Sequence, residues 1–121
     1  MSIITERNAS LKVFEKAAER GTSIGIFCTA SYWNTEAILM AAQRISEKYQ
    51  IEQVPVVVAT TFTYPHMPQC ERFLHCGDAK AGILSHFGYL NAVAGSKYSP
   101  YKNVAVLPHL DHANPVRDRW A

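Results

Sequence analysis

Apolar residues recur along this chain with two different periods, and the alternation between them outlines a fold. Leu11, Phe14, Ala17 and Ala18 share one face at helical spacing, with Ser10 as a cap in front and Gly21 as a stop behind. Residues 1–22 are therefore expected to hold a leading amphipathic helix. Residues 24–28 are short and apolar and read as a strand, and a helix follows from near Asn34 through Ile38, Leu39, Ala42 and Ile45 to Lys48. This is a first βα unit over 23–53. Residues 54–60 place three valines after Pro55 with no polar alternation, the pattern of a parallel strand covered on both faces. Pro65 and Pro68 then break the chain, so 62–69 is a long loop. Helical spacing returns over 78–94 with Ile83, Leu84, Phe87 and Leu90 facing inward, and Gly95 ends it, completing a second βα unit over 54–103. Residues 104–107 form a third strand, after which Asn114 and Pro115 have the chemistry of a cap and a first helical position, predicting a helix from Val116.

Strands alternating with helices predict parallel βαβ units with right-handed crossovers. A free three-stranded parallel sheet would leave two open edges and uncovered apolar faces. The expected architecture is α/β, the first three βα units or so of a TIM (β/α)8 barrel, a fold that typically needs about 250 residues. On that expectation 1–121 is a single partial domain, completed by a continuation of the chain, by a complementing chain or by further copies in a homo-oligomer.

Composition narrows the functional classes. With 48% apolar and 18% charged residues the chain is ordinary for a globular domain, and its net charge of +2 is scattered without a basic run, so nucleic-acid binding has no electrostatic footprint. No apolar stretch approaches a membrane span, and the first residues lack the charged and apolar regions of a signal peptide, which makes the cytoplasm the expected location. Cys28, Cys70 and Cys76 are odd in number, and Cys28 falls in a strand expected to be buried, against a secreted disulfide framework. His66, Cys70, His75 and Cys76 lack the paired spacing of a structural zinc site. Schiff-base chemistry would want a lysine at a strand end, and no predicted strand carries one.

The chemistry concentrates where the third strand ends. The run from Asn103 to Pro115 reads NVAVLPHLDHANP, an apolar stretch leading straight into His109, Asp111 and His112. In α/β folds catalytic groups gather at the carboxyl ends of parallel strands, imidazole is a common zinc ligand, and a neighbouring carboxylate can move protons or orient a ring. The alternative is a polar strand-to-loop junction.

This His-x-Asp-His at a strand end resembles the class II, metal-dependent fructose-bisphosphate and tagatose-bisphosphate aldolases. The resemblance extends more loosely over residues 23–112. Residues 24–28 look like the family's first barrel strand, Asn34-Thr-Glu36 and the Ala-rich helix like its first crossover, and 54–61 like its second strand, with Ala59 where many members carry a polar residue. The resemblance implies reversible aldol cleavage of a phosphorylated ketose by a carbon-carbon lyase. His112 would be one of three histidine ligands of Zn2+ or another divalent metal, the others lying on later strands. Asp111 would be the catalytic acid/base, and His109 would support the site from behind or be a structural histidine. Thr61 would contact phosphate with Thr60 beside it, or the pair is a plain Thr-rich strand end. Asn34, with Ser31 nearby, would face the same mouth or be an ordinary helix cap. The alternative function is a non-catalytic binding module, an incomplete relative that assembles no metal site.

Overall fold

The computed structural model describes residues 3–120. Helix α1 (Arg7–Glu19) leads, followed by strand β1 (Ile26–Cys28), helix α2 (Tyr32–Tyr49), strand β2 (Val54–Thr61), helix α3 (Ala79–Leu90) and strand β3 (Val104–Asp111). The sheet is parallel throughout with β2 in the middle and order β1-β2-β3, so each crossover joins nearest neighbours. The predicted α/β class and the side-by-side parallel placement of β2 and β3 are both present. The two strands run in register from Val54 beside Val104 to Thr61 beside Asp111.

Side chains alternate along a strand, and the two faces of this sheet meet different fates. Val56 and Val58 of β2 with Val104 and Val106 of β3 pack under Leu39 and Ala42 of α2 and Leu90 of α3, forming the main core. Both crossover helices thus lie on one side of the sheet. Burying an aliphatic side chain of this size contributes roughly 1.5–3 kcal/mol. On the opposite face Val57, Ala59, Ala105 and Leu107 are also buried, and the amino-terminal segment pairs with the outer edge of β3, where Ile3 bridges Val106 and the Ile4 amide donates to the Val106 carbonyl at 2.8 Å. Phe14 of α1 and Val57, Leu107 and His109 of the sheet line a cleft of about 310 Å³ there. A second cluster of Phe62, Cys70 and Ile83 joins α3 to the loop after β2, with Leu110 and Trp120 packed on it. Gly82 allows that approach, because a Cβ there would stand 1.9 Å from the Cys70 carbonyl oxygen.

Several boundaries differ from the sequence expectations for identifiable reasons. Ser31, not Asn34, caps α2: its hydroxyl accepts from the Asn34 amide at 3.2 Å, so the helix begins two residues earlier. Ser10 lies inside α1 and donates its hydroxyl to the Glu6 carbonyl instead of capping. Gly21 does stop the helix, with φ +60. No residue of α1 is buried, and Leu84 of α3 is exposed. α3 gives way at Asn91 to a wider π-type turn that ends at Gly95. Cys28 is exposed, against the expectation of a buried strand, because β1 is a short edge strand whose three residues are all exposed. The predicted third helix is not continued within the described residues. Asn114 does cap a single turn, its side-chain oxygen accepting from the amides of Val116 and Arg117 at 2.9 Å each, but 115–120 are turns.

Candidate functional site

β3 is longer than its apolar core predicts, and this extension builds the site. Val104 to Leu107 are buried, but the ladder with β2 persists to Asp111 because Thr60 and Thr61 supply partners for Leu110 and Asp111. His109 and Asp111 therefore sit on the strand itself. Counting alternate residues from Leu107 puts both on the face opposite α2 and α3, together with Thr61. Across the sheet, Cys28, Ala59 and His109 form one row, so the Cys28 side chain shares that face.

Asp111 and His112 come together at the rim. The imidazole Nε2 of His112 lies 3.6 Å from Oδ2 of Asp111, with the Asp111 side chain about one-third exposed and that of His112 about half. In a regular strand consecutive side chains point to opposite faces; His112 instead has φ 54, in the left-handed region, and the kink returns its ring toward Asp111. The Tyr64 ring stacks on the imidazole at 4.6 Å between centroids, and His66 meets Tyr64 edge-on at 5.3 Å.

Thr61 faces Asp111 across the ladder, but its single hydroxyl proton is spoken for. Its Oγ1 lies 2.9 Å from Oε1 of Gln69 and 3.4 Å from Oδ2 of Asp111, and the shorter contact is the better hydrogen bond. Gln69 Oε1 also accepts the Thr61 amide at 2.9 Å. Gln69 is buried in the short 3-10 turn after the loop and fixes the end of β2, a role with no periodic signal in the sequence. Thr60 is fully buried on the helix-covered face with no protein partner for its hydroxyl, so it does not share the rim with Thr61 and Asp111. Asn34 is an exposed residue in the first turn of α2 and receives the cap rather than giving it. His109 is exposed, which leaves it no part in the core.

Partial burial raises the pKa of the Cys28 thiol, and the negative field of Asp111 raises it further. The sulfur is thereby kept in its protonated form, a poor nucleophile and a poor ligand until a cation displaces the proton. Among the described residues no three His, Cys, Asp or Glu side chains are grouped closely enough to hold a metal ion. The rim offers one accessible imidazole beside one accessible carboxylate, which suits a share in a metal site and not the whole of one. No helix among the described residues is long and apolar enough to cross a membrane. Comparison with protein-family models, with curated proteins and with solved structures finds no match to this chain.

Proposed function

We propose that this chain is the amino-terminal part of a (β/α)8 barrel and carries the acid/base half of a cytoplasmic, class II aldolase-like site acting on a phosphorylated ketose. The observation that supports this reading best is the Asp111–His112 pair at the carboxyl end of a central parallel ladder, where barrel enzymes place their chemistry. Sequential strand order with both crossover helices on one side of the sheet agrees with a barrel wall, since a doubly wound sheet reverses direction and covers both faces.

In this reading His112 donates one imidazole to a divalent ion whose other ligands lie outside the chain, and the bound ion supplies Lewis acidity at the ketose carbonyl. Asp111 does the proton work. Its carboxylate accepts the proton of the substrate hydroxyl that becomes the aldehyde oxygen and returns it in the condensation direction. The carboxylate is left available for this because its nearest hydroxyl, on Thr61, is committed to Gln69. Thr61 then shapes the floor beside Asp111, with its amide already held by Gln69. His109, two residues back on the same face, lines the wall behind Asp111.

The test is cleavage of a ketose bisphosphate by the complete barrel, this chain joined to or bound by the segment that supplies the other strands. Turnover that is lost on chelation and restored by a divalent ion is expected. Turnover indifferent to chelation, or no cleavage of any phosphorylated ketose by a metal-loaded barrel, would overturn the proposal.

A further inference from the structure

The loop after β2 and the turn after β3 are fastened together immediately beside Asp111. Thr63 donates its hydroxyl to Asp118 at 2.6 Å, and the Asp118 side chain is 1% exposed and also accepts the Asn114 amide at 2.7 Å. Arg117 reaches back to the Thr63 carbonyl and, at 3.0 Å, to its hydroxyl oxygen. Phe62 stacks on Trp120 at 4.9 Å. Tyr64 is the next residue out from this latch, and its ring covers the imidazole of His112 with an interplanar angle of 22°.

We infer that Tyr64 is a positioning residue: held by the Thr63–Asp118 latch, its ring fixes the imidazole of His112 at the rim beside Asp111. The inference rests on the proposed role of His112 as a ligand. A histidine backbone in the left-handed region is costly and persists where its surroundings over-determine it. The His112 ring is half-exposed, the Asp111 carboxylate lies 3.6 Å from it, and the Tyr64 ring stacks on its face. An ion pair of that length at the surface restrains a side chain weakly, whereas a parallel ring sets its plane. A partner that orients a metal-binding imidazole raises its effective affinity by sparing it that ordering on binding.

The experiment is NMR of the His112 ring protons in this chain, first alone and then titrated with Co2+ as the probe. The wild type and Tyr64→Phe should show ring-current-shifted His112 resonances, and Tyr64→Ala should return them to ordinary positions. Co2+ should shift and broaden His112 in all three, with Tyr64→Ala roughly two- to tenfold weaker and Tyr64→Phe equal to wild type. Thr63→Val, which breaks the latch and leaves the tyrosine, should move the resonances in the same direction as Tyr64→Ala. Unchanged His112 resonances and unchanged Co2+ affinity in Tyr64→Ala would overturn the inference. If Co2+ leaves the wild-type His112 untouched, the single imidazole is too weak a site without the donors placed outside this chain, and the ring-proton comparison alone decides the positioning.

Discussion

His86 offers the sharpest test of how this fold responds to acid. Its ring is fully buried in α3, neither nitrogen has a protein hydrogen-bond partner, and it stacks on Phe73 at 4.4 Å with Phe87 at 5.6 Å. Burial among these rings disfavours the imidazolium and lowers the pKa from 6.5 to about 4. The unfolded chain takes up a proton near pH 6.5, which the folded chain refuses until about pH 4, so stability is full above pH 6.5 and falls through that window. One proton across it amounts to about 3 kcal/mol at the acid end and about 2 kcal/mol at pH 5. His86→Phe keeps a flat ring and removes the titration. Urea unfolding of both proteins at pH 7.5 and pH 5 should show the wild type losing about 2 kcal/mol more than the variant. At pH 7.5 the variant should be at least as stable, since two unpartnered buried nitrogens are gone. Parallel losses in the two proteins would refute the reasoning and assign the acid sensitivity to carboxylates.

Gly82→Ala should cost about 3 kcal/mol or more in urea unfolding, because its Cβ would stand 1.9 Å from a backbone oxygen that no rotamer change can move; a loss under about 1 kcal/mol would mean that α3 and the 3-10 turn are not in contact. Leu39→Ala, at the centre of the main core, should cost about 2–5 kcal/mol in the same assay, and a surface-like loss would place α2 off the sheet. The isolated chain should associate, because the β1 edge presents Ile26 and Phe27 with 60% and 47% of their surface exposed. Light scattering that finds a monodisperse monomer at high concentration would contradict this.

The strands were legible because their signal is local. Three valines in a row after Pro55, and Val104 to Leu107, carry the parallel pattern within each segment, and their pairing follows from nearest-neighbour crossovers. The extension of β3 through His109 and Asp111 was not legible, because it depends on Thr60 and Thr61 of the neighbouring strand offering ladder partners. The same holds for Asn34 and Ser31: both can cap a helix, and only the backbone decides which does. At the site, His109, Asp111 and His112 could be singled out as chemistry at a strand end. The left-handed turn that brings His112 beside Asp111 and the hold of Gln69 on Thr61 belong to irregular backbone, and the Tyr64–His112 and Thr63–Asp118 contacts join loops separated by tens of residues. Such contacts leave no period in the sequence. Pairing Thr60 with Thr61 overlooked strand alternation, which sends adjacent hydroxyls to opposite faces.

Metal content and turnover, measured side by side in complete barrels carrying His112→Ala or Asp111→Ala, test the central claim most directly. His112→Ala should lose metal and activity together, since a three-ligand site loses one protein donor. Asp111→Ala should keep the metal and lose turnover by roughly 10²- to 10⁴-fold. Wild-type metal content with near wild-type turnover in both variants would contradict the account and leave the Asp111–His112 rim as a structural strand end.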